Sequence, residues 1–211
     1  SSYPTPEITT WVEQNRPVGL GIMGLADYYM LRGVVYGSDR ALEELAFILS
    51  FIKNIAEDES ISLGETLGVP EACKQLPVPR RNITLLSIAP TGTISLLAGC
   101  NSGIEPYFSD LIERKDKTGN YMFDHSELAS LPHFRCAVSA NGSTEVSWRG
   151  HVDTQAACQR FVDAGVSKTV NVPNKTSHRA IFDILMYAWK SSVKGITVYR
   201  NNSREVEVLS P

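Results

Sequence analysis

Leu86-Ser87-Ile88-Ala89-Pro90-Thr91-Gly92-Thr93-Ile94-Ser95 is the stretch on which the reading of this chain turns. An apolar, strand-like run halts at a proline, which has no N–H to carry a ladder further. Two threonines and a glycine follow, and a helix-like run then opens. A strand passing through small, hydroxyl-bearing residues into a helix has the shape of an anion-binding turn. Glycine lets backbone N–H groups approach a phosphate, and hydroxyls add donors. Local physics leaves a second reading open: an ordinary strand–helix turn with Thr93 or Ser95 as the helix cap.

Outward from this turn, strands alternate with helices. Asn82 to Ala89 reads as a buried strand, and Thr93 to Gly99 as the start of a helix. Upstream, Ser38 and Asp39 are caps for a long helix. Leu42, Leu45, Ile48, Leu49, Ile52 and Ile55 form its apolar face, and it runs toward Gly64 or Gly68. A short helix fits Ile8 to Glu13. Downstream, helices are expected over Asp153 to Val166 and from Thr176 or Ser177 to Trp189. Strands are expected over Ser167 to Val172 and Ile196 to Tyr199. Residues 106–147 read as an irregular excursion with a Gly119-Asn120 turn and a short helix near Ser126 to Leu131. The pattern is α/β, in a single region spanning 1–211.

Composition removes several function classes. Net charge is −3 and the 20 Lys and Arg are scattered, so neither DNA nor RNA is an expected partner. No run approaches the length of a membrane span, and Ser1 to Pro6 has neither the basic start nor the apolar core of a signal peptide. Cys73, Cys100, Cys136 and Cys158 make no CxxC pair or zinc-ligand spacing, so no metal is expected and each thiol reads as reduced packing in a cytoplasmic protein. Gly19-Leu20-Gly21-Ile22-Met23-Gly24 matches GxGxxG. The polar, proline-bearing Glu13 to Val18 precedes it where a dinucleotide fold needs a buried strand, so close backbone packing is the better reading. A nicotinamide oxidoreductase rests on those glycines alone.

Five blocks, in order, resemble the large subunit of ribonucleotide reductase. They are Arg16 to Ala26, the turn Pro90 to Ser95 with Gly103-Ile104-Glu105-Pro106, and Gln155 with Gln159 and Asp163. Ser167-Lys168-Thr169-Val170-Asn171 and Lys194 to Arg200, closed by Ser203-Arg204, complete them. The resemblance implies the C-terminal half of a ten-stranded α/β barrel. It implies that Pro90, Thr91, Gly92, Thr93, Ile94 and Ser95 bind the phosphates of a ribonucleotide substrate, and that Glu105 and Tyr199 line the active site. Tyr199-Arg200 stands where metal-dependent class I enzymes place two adjacent tyrosines. Arginine cannot relay a radical, so the resemblance is to the adenosylcobalamin-dependent class II form, whose cofactor makes the radical locally.

The family's Asn-x-Cys-x-Glu loop and its redox cysteines are absent, so no catalytic residue is assigned to this chain. The resemblance therefore implies an N-terminal reductase chain as partner, carrying those cysteines and most of the cobalamin site; a higher oligomer is left open. A class I fragment and a non-catalytic interaction module derived from the reductase are the alternatives. Lys168 and Asn171 read as structural, Arg200 and Arg204 as ion-pair or phosphate groups. His125, His133, His151 and His178 read as dispersed surface or capping residues, and Trp148 as packing.

Overall fold

Extended segments run parallel in the order 18–20, 84–88, 164–172 and 197–200, with helices in the connections. The computed structural model describes residues 2–116, 119–139, 142–201, 203 and 209–210. The first pairing is carried by Val18 and Leu20 amides donating to Thr84 and Leu85, with Ser87 donating back to Leu20. Ala164 and Ser167 amides then donate to Leu86 and Ile88, and Ile88 donates to Gly165. Strand β3 (Thr169–Val172) pairs in parallel with β4 (Thr197–Arg200), Thr169 opposite Thr197 and Asn171 opposite Tyr199.

Helices α1 (Pro6–Asn15) and α2 (Leu25–Arg32) flank the first segment. The connection to the second is α3 (Asp39–Leu67), 29 residues long. Ser38 caps it by accepting the Ala41 amide at 3.2 Å. At its other end the Arg81 guanidinium donates to the carbonyls of Leu67 and Gly68, both at 2.8 Å, and so satisfies groups the helix leaves open. The buried face is Ala41, Leu45, Leu49, Ala56, Ser60 and Gly64. Ile55, expected on that face, is exposed, because the buried stripe passes through its neighbour Ala56 to Ser60 and Gly64, and Gly64 lies against the Arg81 amide.

After the turn come α4 (Ile94–Ala98), an antiparallel hairpin of β1 (Leu111–Asp116) and β2 (Gly119–Asp124), and α5 (Ser126–Ala129). The hairpin corrects the expectation that 106–147 is irregular. Its charged sequence hid the strands, and β1 also pairs with β5 (Leu209–Ser210). Tyr107, Phe134 and Cys136 pack this excursion onto Ala26 of α2.

Helix α6 spans Trp148–Gln159, starting and ending earlier than the expected 153–166. Ser147 caps it through the Gly150 amide, and residues 164–167 are taken up by the parallel pairing instead. Gln159 donates to the carbonyls of Val162 and Ala164 at 2.9 and 3.0 Å, Gln155 to Gly195 at 2.6 Å, and Asp163 accepts the Leu85 amide at 2.8 Å. These three side chains therefore bond backbone across neighbouring segments. Ser177 caps α7 (His178–Lys190), whose Ile184 and Ala188 pack with Val152, Val170 and Val172. The larger core joins Leu25, Tyr29, Leu45 and Leu49 to Leu85, Leu86, Ile88 and Cys158.

The glycine block pairs with 84–87 rather than opening a dinucleotide fold. A Cβ on Gly19 would fall 2.8 Å from the Ser87 Cβ, and one on Gly21 would collide with the Ser87 carbonyl oxygen.

Candidate functional site

The site lies at the carboxyl end of the extended 84–88 segment, which bridges in parallel at Leu86 and Ile88; open α/β sheets put their ligands at such ends. Pro90 stops the strand and is exposed. Thr91 then adopts φ +53°, a left-handed backbone that a β-branched residue takes only under constraint. Two bonds supply that constraint: its Oγ1 accepts the Gly103 amide at 2.7 Å, and its carbonyl accepts the Ser95 amide at 2.9 Å. Gly92 is half-buried, and Thr93 and Ile94 face solvent, with α4 beginning at Ile94. Ser95 is buried, its Oγ 3.0 Å from Ser102 Oγ, so its hydroxyl holds the turn from beneath. Thr93 makes no side-chain capping bond to α4 and is exposed.

A second loop, 100–105, is fastened to this turn through Gly103 and to the rest of the fold by two carboxylates. Asp27 of α2 accepts the Asn101 amide at 2.6 Å and the Tyr107 hydroxyl at 2.7 Å. Glu105 accepts the Thr169 amide on Oε1 at 2.6 Å and the Lys168 ammonium on Oε2 at 2.5 Å. The Asn101 side chain closes the loop on itself by donating to the Glu105 carbonyl at 2.7 Å.

Lys168 is completely enclosed. Its Nζ also lies 2.8 Å from His151 Nδ1 and 2.7 Å from the Thr169 carbonyl, so three acceptors surround the ammonium. An ammonium can only donate, so His151 Nδ1 accepts and the neutral ring carries its proton on Nε2. Burial, then the charge of Lys168, pushes the imidazole pKa well below its ordinary value. Burial likewise lowers the Lys168 pKa, opposed by the Glu105 carboxylate. Tyr36 lies against both, its ring 5.9 Å from the Lys168 Nζ, and its hydroxyl donates to the Ile104 carbonyl inside the same loop.

Lys168 was expected to be structural and is the hub of this cluster. His151 was expected at the surface and is buried. The signal for Lys168 was its parity: it alternates with Val170 and Val172, which face the helices, and a lysine on that face needs a buried counter-ion. His151 is placed by α6, whose early start the sequence did not show, and Asp27 carried no local signal.

Tyr199 sits on β4 opposite Asn171, on the sheet face away from α7, because Val170 and Val198 occupy the helix side. Thr169, two residues before Asn171 on β3, carries through its amide the bond to the Glu105 carboxylate. Arg200, half-buried, ends β4, and Arg204 lies outside the described residues.

The cysteines are unpaired thiols, and burial raises each pKa, that of Cys158 to about 12; none is poised as a thiolate. Among the described residues no His, Cys, Asp and Glu group is placed to hold a metal ion, and no helix is long and apolar enough to cross a membrane. A half-open cavity between α2 and the excursion, bounded by Tyr29, Tyr36, Tyr107 and His133, has a volume of about 10 Å³, room for a water.

The family described as "Ribonucleotide reductase, barrel domain" matches residues 1–80 and 78–199. The chain belongs to this reductase family. A vitamin B12-dependent ribonucleoside-diphosphate reductase of Mycobacterium tuberculosis is 37% identical to the reductase chain over 240 aligned residues, covering 100% of this chain and 35% of that protein. One from Thermoplasma acidophilum is 32% identical and also covers the whole chain. The reductase chain thus spans about a third of the length of these curated relatives. The alpha subunit of an Actinobacillus ureae class Id ribonucleotide reductase shares its fold, with a TM-score of 0.75 at 20% identity over 95% of this chain and 42% of that one.

Proposed function

We propose that this chain, as a single region forming the C-terminal half of the reductase barrel, supplies the substrate-phosphate site of an adenosylcobalamin-dependent ribonucleotide reductase. The observation that carries the reading is the turn itself. Thr91, held at positive φ by Gly103 and Ser95, presents Gly92, Thr93 and Ile94 at the carboxyl end of the extended 84–88 segment. A di- or triphosphate there meets the Thr93 hydroxyl and the backbone of Gly92 to Ile94, because Pro90 has no N–H and the Ser95 amide and the Thr91 and Ser95 hydroxyls are already bonded within the fold. Glu105 and Tyr199 line the remainder of the nucleotide site in this reading. The B12-dependent subclass is supported by the relatives at 37% and 32% identity and by arginine at position 200.

The chemistry belongs to a partner, an N-terminal reductase chain with the catalytic cysteines and the corrin site. Supporting this, apolar side chains of the helix that follows the turn lie unburied: Leu97 is 91% exposed and Ile94 56%. The test is turnover by the reductase assembled from both chains. Thr93→Val removes one donor to a charged phosphate, about 1.5–3 kcal/mol, and should raise KM for the ribonucleotide at least about tenfold with little change in kcat. An unchanged KM would refute the assignment.

A further inference from the structure

The Lys168 cluster is absorbed by nothing in the phosphate reading, yet its bonds lead to the turn. Nζ is fully enclosed and makes three bonds, to Glu105, His151 and the Thr169 carbonyl. Glu105 is held by Lys168 and the Thr169 amide together. The loop behind Glu105 is short and closed on itself: its amide donates to the Ser102 carbonyl at 3.0 Å and its carbonyl accepts the Asn101 side chain. From within that loop Gly103 donates to Thr91 Oγ1, the bond that constrains the one left-handed residue of the turn. A Cβ at Gly103 would sit 3.1 Å from the Ala89 carbonyl, so the loop presses directly on the strand end.

We propose that Lys168 is a positioning residue for phosphate binding, acting through Glu105, Gly103 and Thr91. This rests on the phosphate reading above. His151 completes the ammonium's shell without adding charge, so the ion pair stays neutral overall. Tyr36 bonds Ile104 between the two fixed points. Loss of the ammonium frees Glu105 from one of its two holds, and Thr91 is then left to a strained conformation that its remaining bonds do not enforce.

The experiment is a double-mutant cycle in the assembled reductase, with KM and kcat for the ribonucleotide measured well below the melting temperature of each variant. Lys168→Met alone should raise KM about tenfold with kcat within about twofold, a split that a merely structural role would not produce. Thr91→Val keeps the β-branch, removes the acceptor of Gly103, and should have a similar effect. Because both cut one path, the double variant should again show about tenfold rather than about a hundredfold. Should Lys168→Met fail to fold, Lys168→Gln takes its place in the cycle, since its amide fills part of the same space and still offers a donor there without the ammonium. A KM for the folded Lys168 variant within about twofold of the parent overturns the inference, as do multiplicative effects. If Thr93→Val raises KM while Lys168→Met does not, the phosphate reading stands and the positioning role falls. If Thr93→Val has no effect, both fall.

Discussion

The turn at Pro90 to Ser95 and the cluster at Lys168 lie on opposite sides of one loop and are built from opposite materials. The turn is exposed at Pro90, Thr93 and Ile94 and held mainly by backbone bonds within a few residues of itself. The cluster is buried and joins residues 63 positions apart in Glu105 and Lys168, and 17 apart in His151 and Lys168. In the proposed reading the turn offers donors to an anion and so cannot bury them, and its shape has to be enforced from elsewhere. A buried ion pair can enforce it, because in a low-dielectric setting its geometry is costly to disturb. The proposed ligand contact and the rigidity behind it are therefore divided between two places.

That division can be broken at either place. The largest effect is expected in stability at the buried end. Lys168→Met leaves the Glu105 carboxylate without its cation and should cost about 3 kcal/mol, the low end for a broken buried pair because Glu105 keeps some exposure. Denaturant unfolding of parent and variant checks it, and a loss under about 1 kcal/mol contradicts it. Thr93→Val, at the exposed end, should leave the unfolding midpoint in place while KM rises about tenfold, equivalent to about 1.4 kcal/mol of binding. A fall in stability instead of in affinity would mean that Thr93 belongs to the scaffold. Ser95→Ala sits between the two. It deletes the bond to Ser102 in a buried setting and should destabilise by about 1 kcal/mol, with KM moved less than in Thr93→Val.

The smallest effect is the pH dependence of stability that His151 confers. Its folded-state pKa is depressed, so the unfolded chain binds more protons in the interval below the ordinary value of about 6.5. Its contribution is complete above that pH and is lost progressively as the pH falls from there through the depressed value. Melting temperatures at pH 7.5 and 5.5 should therefore converge in His151→Gln compared with the parent. An identical drop in both would place the pH sensitivity elsewhere.

Much of the fold was legible because its signals are local. Ser38 and Ser177 cap the helices they were expected to cap, and the long helix ends just before Gly68. The short helix after Thr93 stands where its residues place it, whereas the expected strand Asn82 to Ala89 is an extended segment that makes isolated parallel bridges only at Leu86 and Ile88. The hairpin was missed because a charged segment such as Leu111 to Asp116 carries no alternating apolar pattern. The end of α6 was misplaced because Ala164 to Ser167 is claimed by Leu86 and Ile88, partners far away in sequence.

The same boundary runs through the candidate site. Sequence alone determined the turn, the order of the family blocks and the absence of the cysteine loop, because each is a matter of which residues are adjacent. The tertiary structure decided that Ser95 turns inward to Ser102, that Asp27 and Glu105 pin the neighbouring loop, and that Lys168 is a buried cation. A lysine becomes buried and neutralised only when a loop, a helix and a strand from separate parts of the chain bring three acceptors to its ammonium. No spacing of residues along the chain encodes that enclosure.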